Sequence, residues 1–190
     1  MSKIASIASP APLLASETLL AYLIAQAIPH HVYHHEAVFT VAEANKISAV
    51  ISGAHTRNLF LRDKKGRMFL VTLRHNTPVD LKKLSDVLGV GRFSFGSAAR
   101  LWENLGVTAG SVTPLAILND RNQNVTLVLE EGMMAEESIN VHPLINTMTV
   151  SLSPTGLMTI LKDCAITPLV IDFTNLAPDT PPQQMDITTC

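Results

Sequence analysis

Apolar positions recur along this chain with two different periods. Leu19, Leu20, Leu23, Ile24 and Ala27 fall on one helical stripe that Pro29 ends, and Ser16 stands where a capping residue belongs. Val38-Phe39 is strand-like, and Thr40-Val41-Ala42-Glu43 has the spacing of a capping box opening a second helix. NLFLRDKKGRMFLVTL then gives two strand-like runs around Asp63-Lys64-Lys65-Gly66, where Gly66 can take the positive φ of a tight hairpin. DLKKLSDVLG predicts a helix capped by Asp80, with Leu81, Leu84 and Leu88 inward and Gly89 at the stop. Ser97 to Leu105 repeats that design, with Leu101, Trp102 and Leu105 as its apolar side and Gly106 at its end.

The second half continues in the same style. LAILND, a polar tip through Asn124, and VTLVLE predict a second hairpin. Ser153-Pro154 opens a last helix carrying Leu157, Ile160 and Leu161, since proline suits the first helical position, although Gly156 weakens that helix. PLVIDF predicts a final strand, and APDTPPQQMDITTC is polar and proline-rich, a loose tail. No repeat of roughly 20–50 residues is present. Strands grouped in hairpins with helices inserted between them predict an α+β or mixed α/β domain around a largely antiparallel sheet. The expected boundaries are an N-terminus over 1–16, one domain over 17–173 and a tail over 174–190.

Composition narrows this further. The chain has 190 residues, 47% of them hydrophobic and 16% charged, which suits one domain with a substantial core. Mean hydropathy is +0.26, yet no run reaches the roughly 18 apolar residues of a membrane helix. Pro10, Pro12, Ser16 and Glu17 interrupt the N-terminal apolar run, so no export signal is expected. Cys164 and Cys190 are the only cysteines; a disulfide scaffold is not expected and a reducing cytosol fits. Cys164, on an apolar helix, is expected in the core.

A net charge of −2 argues against a protein that coats nucleic acid, and no helix-turn-helix with a basic face suggests DNA binding. The average conceals an asymmetry. Ten of the fourteen Lys and Arg residues lie between Arg57 and Arg100, against only Asp63, Asp80 and Asp86. Solvated helix faces and a hairpin tip account for some of these charges; the alternative is one basic face that meets phosphates.

Several familiar chemistries are missing. The chain has no G-x-S-x-G, no GxxxxGK[ST] and no G-x-G-x-x-G. His30, His31, His34 and His35 include two i,i+4 pairs. Pro29 and the absence of HExxH make a linker or pocket rim the better reading than a metal site, and no metal or cofactor is expected. His55 and His142 each stand beside small polar residues at an element boundary, where a lone histidine is more often structural than catalytic.

Several blocks in one order point further: GAHTRNLFLRDKKGRMFLV, DLKKLSDVLGVGRFSFGS, LGVTAGSVTPLAILND and VHPLINTMTVSLS, with HEAVFTVAEA before them. Through these, over roughly residues 17–173, the chain resembles the YbaK/ProX family of free-standing prolyl-tRNA editing proteins. That family is similar to the editing domain of many bacterial prolyl-tRNA synthetases. The NLFL block with GSVTP is most similar to the alanyl-tRNA(Pro) deacylases. The resemblance implies a single domain with a barrel-like mixed sheet and flanking helices. It also implies hydrolysis of the ester joining a wrong amino acid to tRNA(Pro), alanine first, with Cys-tRNA(Pro) or another small residue as the alternative substrate. It makes the tRNA acceptor end a partner, adds prolyl-tRNA synthetase as a candidate partner, leaves monomer or homodimer open, and requires no cofactor. In the family the G-x-x-x-P loop, here Gly110, Ser111, Val112, Thr113 and Pro114, helps form the substrate pocket. His142 matches a histidine lining the aminoacyl pocket, with Asn146 as its support. Thr56-Arg57-Asn58 matches a T-K-N triplet whose lysine is associated with the terminal adenosine and with activity. Arg57 keeps the charge but is bulkier and cannot serve as a poised amine. A non-catalytic tRNA-binding module is the reading this departure keeps open.

Overall fold

A computed structural model describes residues 14–37 and 50–179; the Val38-Phe39 strand, the Thr40–Glu43 capping box and residues 180–190 lie outside the described residues. The elements run α1 (Ser16–Ala25), β1 (His30–His34), β2 (Ala54–Arg62), β3 (Met68–Arg74), α2 (Leu81–Val87), β4 (Ser94–Phe95) and α3 (Ala98–Leu105). A 3-10 helix (Pro114–Asn119) follows, then β5 (Val125–Glu130), α4 (Glu131–Met134), β6 (Ile139–Val141), β7 (Met148–Leu152), α5 (Pro154–Asp163) and β8 (Leu169–Ile171).

The strands form one mixed sheet in the order β1-β7-β6-β2-β3-β5-β8, with β4 attached to β2. The β1/β7, β6/β7, β2/β3 and β2/β4 pairings are antiparallel, and β2/β6, β3/β5 and β5/β8 are parallel. β3 sits between β2 and β5 with both faces covered, which is why FLVTL reads as a continuous run instead of alternating. Alternation still sorts its side chains. Leu70 joins a core with α1, α3 and α5, while Phe69, Val71 and Leu73 join a second core with Leu84 of α2 and Phe173. β2 divides likewise, Phe60 to the first core and Leu61 to the second.

Local chemistry explains most boundaries. Asp63 closes the β2–β3 hairpin by accepting from the Lys65 and Arg67 amides at 2.9 Å each, and Gly66 has φ +87°. Asp80 caps α2 through the Lys82 and Lys83 amides at 2.7 and 3.0 Å. Ser97 caps α3, which Gly106 ends at φ +64°. Ser153 caps α5 through Gly156 N at 3.0 Å. Gly156 also admits Ile28, whose Cγ2 would lie 3.2 Å from a Cβ there, so this glycine serves packing within a stable helix.

Five expectations are corrected. LAILND is not a strand. Pro114 opens a 3-10 helix capped by Thr113, and β5 consequently joins β3 in parallel instead of forming a hairpin. Leu115, Ala116 and Ile117 are all buried, and so short an unbroken apolar run does not reveal its own period. Ser16 is the first residue of α1 with no capping bond; Ala15 holds the cap position. Ile24 (71% exposed) and Trp102 (54%) lie outside the core. Cys164 is the exposed C-cap of α5. The histidine cluster is not a linker: His30, His31 and His34 belong to β1, and His35 directly follows it.

Candidate functional site

β2 presents Thr56, Arg57 and Asn58 in succession, and its two-residue period separates them. Thr56 Oγ1 donates to Asn140 O of β6 at 2.8 Å. Asn58 faces the first core side, where its Nδ2 donates to Val112 O at 2.8 Å and its Oδ1 accepts from Thr72 Oγ1 at 2.7 Å. Thr72 is fully buried, so Asn58 is fixed from behind by β3 and fixes the loop in front.

The loop itself is built from its sequence. Gly110 has φ +88°, a region that side-chain-bearing L-residues resist. A Cβ there would lie 3.6 Å from Asn146 Nδ2, an ordinary contact, so the backbone angle and not crowding calls for glycine. Ser111 and Thr113 are buried, and Pro114 starts the 3-10 helix. Residues 110–114 therefore lie between β2, through Asn58, and the segment after β6, through Asn146.

His142 leaves β6 on that same segment. Its Nδ1 is 2.9 Å from Met148 O; a carbonyl only accepts, so Nδ1 carries the proton and Nε2 the lone pair. Burial lowers its pKa; the Met148 bond opposes this and nearby His35 adds to it, which favours the neutral ring. Leu144, two residues on, holds φ +70° in a buried setting, an uncommon conformation for a branched residue.

His35, read from the sequence only as part of a linker or pocket rim, adjoins His142 with ring centroids 6.2 Å apart. Its Nδ1 donates to Glu36 O at 2.8 Å, which leaves Nε2 to accept from Thr149 Oγ1 at 2.9 Å. Nothing local signals this pairing, because the two histidines meet only through β1 and β7. His55 is structural in its contacts: its Nε2 lies 2.9 Å from Ile51 O.

Arg57 is not brought to the loop. It extends from the opposite face of β2, where Nη2 donates to Thr77 O at 2.6 Å. Its Nε is buried and has no hydrogen-bond partner among the described residues. Burial lowers the Arg57 pKa, offset in part by the Glu130 charge. Glu130, 1% exposed, is held by the Arg74 backbone and guanidinium and by Thr77 Oγ1. Among the described residues no cluster of three or more His, Cys, Asp or Glu side chains fits a metal ion. No helix among them is long and apolar enough to cross a membrane.

The chain is thus one mixed sheet with a G-x-x-x-P loop tied to its second strand, and its relatives say which family builds this way. Residues 35–160 match the model of the aminoacyl-tRNA editing domain, and the chain belongs to that family. It is 36% identical over 149 residues to prolyl-tRNA editing protein ProX of Acetoanaerobium sticklandii, covering 78% of this chain and 91% of that protein. It is 38% identical over 141 residues to prolyl-tRNA synthetase associated domain-containing protein 1 of Danio rerio, covering 73% and 77%. In fold it is similar to the crystal structure of a candidate trans-editing enzyme for prolyl tRNA synthetase, with TM-score 0.61, 18% identity, and 85% and 98% of the two chains covered.

Proposed function

We propose that this protein hydrolyses the aminoacyl ester of misacylated tRNA(Pro) in trans, in the cytoplasm, with alanine as the residue removed. Residues 17–173 form the editing unit in this reading. The observation that carries it is the Asn58–Val112 bond, which ties the G-x-x-x-P loop to the T-R-N triplet within a chain of the editing family.

The need for such a reaction is physical. A pocket made for proline cannot strongly reject alanine, since each missing methylene changes binding by only about 1–3 kcal/mol. A second, smaller pocket can admit alanine and exclude the pyrrolidine ring on size. Ser111, Val112 and Thr113 would limit that volume, with Gly110 and Pro114 fixing the main chain around it. No protein nucleophile is required. Water adds through oxygen to the acyl carbon, the ester bond to the ribose oxygen breaks, and the proton passes to that oxygen, with the neighbouring ribose hydroxyl helping to activate the water. The protein supplies placement and dipoles. His142, neutral with its lone pair on Nε2, would accept a hydrogen bond from the aminoacyl group, and Asn146 would hold the loop from the far side. Arg57, on the other face of β2, would act on phosphate and not on the ester. Prolyl-tRNA synthetase would supply the mischarged tRNA.

Hydrolysis rates for Ala-, Cys-, Ser- and Pro-tRNA(Pro) test this. Alanine should be released fastest and proline spared. Equal attack on Pro-tRNA(Pro) would refute size exclusion, and tRNA binding without ester loss would leave only a binding module.

A further inference from the structure

β4 is two residues long and pairs with one side of β2, Phe95 opposite Leu61 and Ser94 opposite Arg62. Gly96 N continues the attachment by donating to Phe60 O at 2.8 Å. A Cβ on Gly96 would fall 2.4 Å from the Phe60 ring, so that ring lies directly against the Gly96 backbone, and only a glycine fits after Phe95. Phe93 is buried by this arrangement, whereas Phe95 is 68% exposed.

A single exposed apolar residue is ordinary. The surroundings of this one are not. Arg62 is in register with its neighbour Ser94, Arg92 is exposed three residues before it, and Lys64 runs alongside Gly91, where a Cβ would lie 3.4 Å from Lys64 Cβ. None of these three cations is in the ion pairs found among the described residues, whereas Arg67 beside them is held by Asp63. An open aromatic face among unneutralised cations suits an unpaired nucleotide, whose base stacks on the ring while its phosphates meet the charges. Leu61 is three residues from Asn58 along β2, about 10 Å at about 3.3 Å per residue, and with its partner Phe95 it faces the other side of the strand, the side of Arg57. An RNA end with its ester at the loop can bring a preceding base to Phe95 by passing around the two-residue strand β4 to the face that also carries Arg57.

We propose that Phe95 is a stacking platform for an unpaired nucleotide of the RNA acceptor end, with Arg62, Lys64 and Arg92 meeting the flanking phosphates. This rests on the acceptor end being the ligand of the neighbouring loop, and it assigns the end's path across the protein.

The test uses the full chain and a non-acylated acceptor minihelix carrying 2-aminopurine at each unpaired 3′ position in turn. Binding should quench one position most. Phe95→Ala should abolish that quenching and weaken binding roughly 5- to 150-fold, the range for one lost base–aromatic stack, while Phe95→Tyr keeps both. A blunt minihelix should bind wild type and Phe95→Ala alike. Unchanged quenching in Phe95→Ala overturns the proposal, as does equal weakening toward the blunt RNA. So does a Phe95→Ala protein that binds RNA normally but no longer associates with prolyl-tRNA synthetase, because the patch then docks protein. Since the probe carries no ester, absent hydrolysis with intact quenching defeats only the deacylase reading. Normal hydrolysis with an unchanged KM in Phe95→Ala defeats only this one.

Discussion

Replacing Asn58 by alanine removes two hydrogen bonds at once, the donor to Val112 O and the acceptor for Thr72 Oγ1. Each is worth about 0.5–1.5 kcal/mol net, and the fully buried Thr72 hydroxyl would lose its acceptor, so Asn58→Ala should cost about 2–3 kcal/mol. In a domain of this size that lowers Tm by roughly 4–12 °C. The functional cost should be larger than the stability cost suggests. A loop displaced by about 1 Å can lose about 100-fold in rate, so kcat/KM for Ala-tRNA(Pro) should fall between about 10- and 100-fold at a temperature where the variant is folded. Two further variants separate the contributions. Thr72→Val removes only the buttress and should lose stability with little change in rate. Asn58→Asp keeps the acceptor for Thr72 but sets a carboxylate against Val112 O, and should lose rate at least as much as alanine does. Urea unfolding and single-turnover hydrolysis measure the two effects. If Asn58→Ala stays within twofold of wild type in kcat/KM, the bond to Val112 does not position the site and the reasoning fails.

Three other outcomes are expected. Gly110→Ala places a side chain at φ +88° at a cost of about 1–2 kcal/mol; ester hydrolysis should drop sharply, and the relief of a clash with Asn146 in Asn146→Ala should not rescue it, since that contact is not tight. His142 has its pKa lowered below the ordinary 6.5. Hydrolysis should hold steady as pH falls through 6.5 and decline only below it, a limb that His142→Gln lacks. Stability carries the same sign: the unfolded chain protonates this ring first, so His142's contribution weakens as pH falls below 6.5. Glu130→Ala strips Arg74 and Thr77 of a shared buried partner and should cost about 3 kcal/mol by urea denaturation.

What the sequence made legible follows from whether the deciding contacts are local. The hairpin tip at Asp63–Gly66 and the helix start at Asp80 are short-range hydrogen-bonding solutions, written in the residues that perform them. The separation of Arg57 from Thr56 and Asn58 was not legible in this way: the strand-like run began at Asn58, and only the reach of β2 back to Ala54 puts Arg57 on the other face. The 3-10 helix that starts at Pro114 was hidden because its residues from Pro114 to Ile117 are all apolar and buried and leave no period to read. The His35–His142 contact was hidden for another reason: it spans more than half the chain and depends on β1 lying beside β7. The G-x-x-x-P loop stood out as a motif, but its anchor, one amide on the neighbouring strand, is a tertiary fact.

β2 works as a ruler. Its Asn58 end holds the loop and its Leu61 end carries Phe95, so the distance between them is a fixed number of strand residues. One residue inserted between these marks would turn every later side chain to the opposite face, sending Leu61 out of its core. An insertion just beyond, in the Asp63–Gly66 turn, would leave both marks where they are. Length variation among homologues should therefore be found in that turn and be absent from the three steps before it.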